Sequence, residues 1–349
     1  MEDQEEKHLR RVRYRGTHPR KFNEKYKELQ PEKYADDVKE IIQKGKTPAG
    51  MHISICVNEI LEFLQIKPGQ IGLDATLGYG GHTEKMLQCL NNKGHLYAID
   101  VDPIELDKTR KRLEGLGYGA DILTIQHQNF ANIDKVMQEG MKFDFVLADL
   151  GVSSMQIDNP LRGFSYKYDG PLDLRLNPEK GITAAQRLCK LSEEELKRKL
   201  IENSDEPYAE EIARAIVKEI KKGTKIATTK QLSQIVANAL IFLPAYERNE
   251  AAKKSCQRTF QTLRIDVNKE FDVLAEFLEK LPRLLAKDGR AAILTFHSGE
   301  DRLVKKAFKQ FFNEGLYSDI AKDVIRPSIE ECYINPRAHS AKLRWAIKS

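Results

Sequence analysis

The stretch Ile71-Gly72-Leu73-Asp74-Ala75-Thr76-Leu77-Gly78-Tyr79-Gly80-Gly81-His82 reads as an apolar strand, an acid at its tip, and glycines opening a helix. Glycines at such a turn let backbone approach a bound molecule more closely than side chains allow. Twenty residues after Gly80, Ala98-Ile99-Asp100 ends a second apolar run in an acid. That spacing suits a carboxylate accepting hydrogen bonds from ribose hydroxyls. A tight strand-to-helix turn would by itself account for the glycines; the second acid adds the argument for an adenosine-containing cofactor. A dinucleotide fingerprint beginning at Gly78 would need glycine at 83, where Thr83 stands. Asp74 suits an ammonium group better than a pyrophosphate. S-adenosylmethionine therefore fits these residues better than NAD, and an NAD-dependent oxidoreductase is the weaker reading.

A further strand, Phe143–Asp149, runs into Leu150-Gly151-Val152-Ser153-Ser154. Ligands of doubly wound sheets meet the carboxyl ends of strands, which puts Asp149 near the reacting group. The loop that follows is dense in Gly, Asp, Arg and aromatics: Arg162-Gly163-Phe164-Ser165, then Asp169 through Arg175. Long loops of this kind are more often functional than idle. Arg258 through Arg264 and Phe296-His297-Ser298 also stand out.

Methylating an amino nitrogen needs alignment and a proton acceptor, not a covalent intermediate. Asp149, or backbone carbonyls near Leu150–Gly151, can accept that proton. Methylation at a ring carbon needs a cysteine nucleophile instead. None of the five cysteines (Cys56, Cys89, Cys189, Cys256, Cys332) follows a proline or ends a strand. Phe164, Tyr166, Tyr168 and Phe260 are able to hold an unstacked base, and equally able to be core. His297 either orients substrate or bonds locally. The eight histidines show no H-x-x-x-H spacing, so no catalytic metal is expected.

These residues need a scaffold, and the apolar pattern supplies one. Strands are expected at 71–75, 94–100, 122–126, 143–149 and 291–296. Helices are expected at 53–64, 83–90, 103–113, near 133–138, at 271–285 and at 300–312. Such alternation predicts parallel β-α-β units with helices on both faces of one sheet. Pro282 should kink or end its helix early, Gly289 should stop it, and Trp345-Ala346-Ile347 should form a closing edge strand. Between about 183 and 243 the pattern turns wholly helical. Ser192-Glu193-Glu194-Glu195 and Thr228-Thr229-Lys230-Gln231 read as capping boxes, and Asp205 precedes the amphipathic run Tyr208, Ile212, Ile216, Val217, Ile220. The expected organisation is a basic arm at 1–50, a catalytic domain at 51–160 and 265–349, and an inserted all-helical substrate-recognition domain at 161–264.

The chain has 349 residues, 41% of them hydrophobic, enough for a sizeable core. No apolar run has the length of a bilayer span and the scattered cysteines suit a reducing compartment, so a cytoplasmic protein with no membrane partner is expected. The net charge is only +5, yet residues 7–27 carry nine Lys or Arg against the single acid Glu24. Such a block either contacts the phosphates of a polyanion or is a solvated tail.

Taken together, His52-Ile53-Ser54, Asp74 through His82, Asp149 through Ser154, Arg162 through Ser165, Asp169 through Arg175, Arg258 through Arg264 and Phe296-His297-Ser298 resemble the RsmH (MraW) family. The resemblance runs from about residue 50 to the C-terminus. It implies an α/β class I S-adenosylmethionine methyltransferase sheet of Rossmann-like type with a helical insert. The implied activity is methylation of the exocyclic N4 of a decoding-centre (P-site) cytosine in 16S rRNA. It implies that Gly80, Gly81, His82, Asp100, Phe130, Asp149 and Gln156 line the cofactor. Arg162, Phe164, Arg258, Phe260, Arg264 and His297 are the candidate substrate residues and Asp149 the candidate catalytic one. The implied partner is small-subunit rRNA or the assembled small ribosomal subunit, and a homodimer is compatible with it. Lys253-Lys254-Ser255-Cys256-Gln257 departs from the family's His-Pro-Ala-Thr, Gly299 stands in place of a leucine, and the arm is an addition. A non-catalytic RNA-binding ribosome-assembly protein is the rival reading, which the intact Asp74, Gly80, Asp100 and Asp149 disfavour.

If the arm meets about four to five phosphates of single-stranded RNA, its deletion should flatten the log–log salt dependence of RNA binding by roughly three. Cofactor affinity should stay unchanged. Equal slopes for full-length and arm-deleted protein would remove the arm from RNA binding.

Overall fold

The computed structural model describes residues 54–349. The basic arm, the His52-Ile53 pair and the boundary at 50/51 lie outside the described residues. The first helix, α1, is Val57–Leu64, preceded by Cys56 in the left-handed conformation (φ 56°). Strand β1 (Ile71–Asp74) follows, then α2 (Gly81–Leu90), β2 (His95–Asp100), α3 (Pro103–Gly115) and β3 (Leu123–His127). The helix expected near 133–138 is instead a 3-10 turn, Phe130–Lys135. Asn129 starts it early by accepting the Ala131 N–H at 2.9 Å. Strand β4 spans Phe143–Asp149, as expected.

The helical stretch holds α4 (Ser154–Asp158), α5 (Ala184–Leu188), α6 (Glu193–Ser204), α7 (Ala209–Lys221), α8 (Thr229–Ala239) and α9 (Ala245–Asn268). Both expected capping boxes form: Ser192 with Glu195 and Thr228 with Gln231. Asp205 does not open α7; it closes α6 in the left-handed conformation (φ 50°). The apolar faces of these helices meet in a cluster of their own that includes Leu196, Ile212, Ile216, Leu232, Phe260 and Leu263.

The chain returns to the sheet through α10 (Glu270–Leu284), β5 (Leu285–Thr295), α11 (Ser298–Asn313), β6 (Tyr317–Ile320), α12 (Ile329–Ile334) and β7 (Lys342–Lys348). Pro282 does not cut α10 short. It stands in the last turn, and the helix runs on to Leu284, where the Leu285 N–H still reaches the Leu281 carbonyl. Gly289 is not the stop either. The helix ends at Leu284, and Asp288 (φ 62°) and Gly289 lie in an irregularity of β5.

The sheet order is β3-β2-β1-β4-β5-β7-β6. The first five strands run parallel, and β7 is antiparallel to both β5 and β6. Trp345 and its neighbours are therefore interior; the edge is β6, whose Tyr-Ser-Asp-Ile sequence is too short and polar to announce a strand. Two apolar clusters cover the two faces of the sheet, one around Met86, Leu90, Leu96 and Phe145 and the other around Phe143, Val146, Phe277 and Ile293. Strand order reverses between β1 and β4, so a crevice opens at their carboxyl ends.

Gly72 in β1 is fixed by packing. A Cβ there would lie 2.0 Å from the Phe145 ring, which is fully buried. Gly72→Ala should cost about 1–3 kcal/mol, read as a lower urea midpoint with an unchanged slope.

Candidate active site

The ends of β1, β2 and β4 bring three carboxylates to the crevice. Asp74 is buried, and its oxygens accept the Thr83 hydroxyl (2.6 Å) and the Thr76 N–H (3.1 Å). Burial pushes its carboxyl above the ordinary range, against those two donors and the nearby His82. Thr83 thus has a task at the position where a dinucleotide fingerprint has glycine. Asp100 accepts the Gly78 N–H at 2.7 Å on one oxygen and the Asp102 N–H at 2.8 Å on the other. Burial pushes its carboxyl up to about 6 despite these bonds. Each oxygen keeps a second lone pair for a ribose hydroxyl.

Asp149 ends β4, where its N–H donates to the Thr76 hydroxyl at 2.7 Å. The Oδ2 atom lies 3.5 Å from His82 Nε2. His82 Nε2 and Asp149 Oδ1 are both buried without a hydrogen-bond partner. Orphaned polar atoms inside a crevice call for a partner from outside the chain, a water or a ligand. Burial works against a charge on His82, but Asp149, Asp74 and Glu331 outweigh it and raise the imidazole's pKa. Gly80 takes φ 75° at the start of α2, packed against Thr109, Arg112 and Leu113, and Gly81 is the first residue of that helix.

Gln156 reaches the same corner from α4. Its Oε1 accepts the Ser153 N–H at 2.8 Å while its Nε2 donates to Asp102 at 2.8 Å. Phe130 sits just past β3, edge-on to Phe277 at 5.3 Å, in a turn tied down where Lys280 donates to the Ala131 carbonyl at 2.7 Å. The residues expected to line the cofactor therefore converge on the ends of β1 to β4.

The substrate candidates scatter. Arg162 is buried: it pairs with Asp102 at 2.7 Å and lies over the Phe164 ring, 5.6 Å from its centre. Phe164 and Phe260 belong to the helical core, Phe260 against Tyr166 at 5.5 Å. Arg264 grips Glu270 with two bonds of 2.8 and 2.9 Å. Arg258 is half-buried and forms no ion pair or side-chain hydrogen bond among the described residues. His297 lies just past the end of β5, half-buried, with Nε2 3.1 Å from the Glu300 carboxylate.

Among the described residues, two groups of His, Cys, Asp or Glu have ligand atoms within 4.8 Å of one another, Cys56-Glu59-Glu331 and Glu270-His297-Glu300. In the second, Arg264 already neutralises Glu270 and the Phe296 N–H donates to Glu300; in the first, Glu331 accepts the Cys56 N–H.

The departures have local reasons. A Cβ at Gly299 would meet the Phe271 ring at 2.5 Å and His297 Nδ1 at 3.2 Å, so a leucine there would displace Phe271. Ser255 donates to Glu206 at 2.8 Å, and Cys256 is buried in the helical core.

Sequence reasoning missed Asp102, Thr76 and Glu331. Asp-Pro before a helix signals only a cap, which Asp102 is; its contacts to Gln156 and Arg162 are tertiary.

Residues 49–349 match the model of the MraW methylase family. The chain belongs to that family. It is 68% identical to Ribosomal RNA small subunit methyltransferase H 1 of Lachnoclostridium phytofermentans, over 100% of this chain and 95% of that protein. Identity to methyltransferase H 2 of Alkaliphilus metalliredigens is 67%, over 100% of both. With methyltransferase H of Koribacter versatilis it is 39%, over 85% of this chain and 94% of that one. The family model begins at residue 49, so the basic arm is outside it.

The cofactor of this methylase is S-adenosylmethionine, and the residues fit it. Asp100 has acceptor capacity for a ribose, Asp74 offers a carboxylate to a cationic amino acid, and the Gly78–Gly81 turn leaves backbone exposed. Among the described residues no helix is long and apolar enough to cross a membrane.

Because Asp100 must be ionised to accept from both ribose hydroxyls, cofactor affinity should fall as pH drops through about 6. The loss should approach about tenfold between pH 7 and pH 5. Calorimetry of Asp100→Asn should show weaker binding, by about 1.5–3 kcal/mol, and a flatter pH profile. A wild-type profile in the variant would remove Asp100 from the site.

Proposed function

We propose that the protein transfers the methyl group of S-adenosylmethionine to the exocyclic N4 of a decoding-centre (P-site) cytosine in 16S rRNA, presented by small-subunit rRNA or the assembled small subunit in the cytoplasm. The observation that carries this reading is Asp149 Oδ1, a buried acceptor with no partner at the switch point of the sheet. When bound, the cofactor supplies an activated methyl on a sulfonium. The protein's part is to align the amino nitrogen and receive its proton. The cytosine amino lone pair is delocalised into the ring, so an acceptor on its N–H makes it a better nucleophile. Asp149 Oδ1 takes that N–H and then its proton, while His82 Nε2 faces the other carboxylate oxygen at 3.5 Å.

The thiols argue against chemistry at a ring carbon. Burial pushes the Cys256 thiol up to about 12 and raises Cys56 further still, whereas a nucleophilic cysteine is lowered. The Thr83–Asp74 bond supports S-adenosylmethionine over NAD. Recognition of RNA is assigned to the helical insert at 161–264, where Arg258 is the substrate candidate whose side chain has no ion pair among the described residues.

Nucleoside mass spectrometry of rRNA from cells with and without the gene should show N4-methylcytidine only with it. Asp149→Asn should lower turnover by about 10²–10⁴-fold, and replacing all five cysteines should leave the chemical step largely intact. Detection of 5-methylcytosine, or of a covalent RNA adduct, would overturn the assignment.

A further inference from the structure

Asp102 is fully buried and placed between the cofactor corner and the loop that opens the helical insert. Its backbone N–H donates to Asp100 Oδ1 at 2.8 Å. One side-chain oxygen caps α3 by accepting the Ile104 N–H at 3.0 Å. The other accepts both Gln156 Nε2 at 2.8 Å and Arg162 Nη1 at 2.7 Å. Arg162 spends its second terminal nitrogen on the carbonyls of Arg175 (3.1 Å) and Leu176 (2.9 Å). Its side chain is only 7% exposed.

An arginine that binds phosphate or a base edge has to present its N–H fork outward. This one points its fork inward, to a carboxylate and two carbonyls, with the Phe164 ring over the guanidinium. A buried carboxylate without a cation is strongly unfavourable, and removing one partner of such a pair costs far more than an exposed pair would. Arg162 is therefore the cation paired with the buried Asp102 carboxylate. Asp102 in turn holds the 100–104 turn and the Gln156 amide.

We infer that Arg162 is a positioning residue for the cofactor side of the reaction, acting through Asp102 on Asp100 and Gln156, and is not a contact to the nucleic acid. The inference rests on reading Asp100 and Gln156 as cofactor contacts. It reverses the role that an arginine in a Gly- and aromatic-rich loop suggests. Lysine keeps the charge of Arg162 but cannot reach Asp102 and two carbonyls in one planar fork, so the conservative variant separates charge from geometry.

The test measures S-adenosylmethionine affinity by calorimetry on RNA-free protein, and small-subunit RNA affinity separately, for wild type and Arg162→Lys. The expected result is cofactor affinity weakened by about tenfold or more with RNA affinity unchanged. Asp102→Asn combined with Arg162→Met removes both charges, avoids an unpaired buried ion, and should fold while still binding the cofactor weakly. If Arg162→Lys does not fold, this double variant decides. Wild-type cofactor affinity in whichever folded variant is measured overturns the inference, whether RNA affinity falls or not. Failure of the wild-type protein to methylate rRNA would instead sink the functional reading and leave the calorimetric result standing.

Discussion

The parallel pairing of β1 with both β2 and β4 is the constraint on which the rest of this molecule depends. Asp74, Asp100 and Asp149 are far apart in the chain, and each ends one of these strands. Parallel register leaves them no choice but to gather at one end of the sheet, at the point where strand order reverses. Three acids in a partly water-excluded crevice are an electrostatic burden. Burial raises Asp74 and Asp100; the neighbouring Asp149 raises Asp74 further, and Asp102 and Asp74 raise Asp100. What relieves the burden is short-range: backbone N–H groups from the Gly78 turn and from Asp102, the Thr76 and Thr83 hydroxyls, and His82 beside Asp149.

That arrangement has a thermodynamic sign. Asp100 binds its proton more tightly in the folded protein, at about 6, than an ordinary aspartate does at 3.8. Between those values the native state holds more protons than the unfolded chain, so this residue's contribution to stability falls as pH rises through the window. At neutral pH the ionised acid is kept at a cost to the fold. A ligand that binds only the folded state returns stability by mass action, and a cationic one suits this crevice.

The helical insert answers a different need. Its helices bury their apolar stripes against each other, and their ends are closed by reciprocal side-chain and backbone bonds at Ser192 and Thr228. It is nonetheless tied to the catalytic corner by polar contacts. Arg162 is bound to Asp102, and Asn268 at the end of α9 accepts the Leu176 N–H at 2.7 Å while donating to the Leu174 carbonyl at 2.8 Å. The loop between Arg162 and Leu176 is therefore held from both sides, which is how a segment with little regular structure keeps one shape.

Much of this was legible in the residues alone, because local rules decide it. Alternating apolar runs and helical periods give parallel β-α-β units, a Gly-rich turn after an acid-tipped strand gives a cofactor corner, and Ser-x-x-Glu gives a helix start. Strand β4 follows from its apolar run, interrupted only by Asp144 before the terminal Asp149, and Thr83 in place of glycine turns the cofactor reading from NAD toward S-adenosylmethionine. Other features depend on partners that no window of sequence contains. The terminal strand around Trp345 lies inside the sheet because the short polar β6 adds beyond it, and Pro282 is tolerated because of where its helix stops. Arg162, Phe164, Phe260 and Arg264 look by type like residues for a nucleic acid, yet the fold spends them on Asp102, the helical core and Glu270. A side chain's type states which bonds it can make; whether water, substrate or a buried carboxylate takes them is decided by what the tertiary structure packs against it.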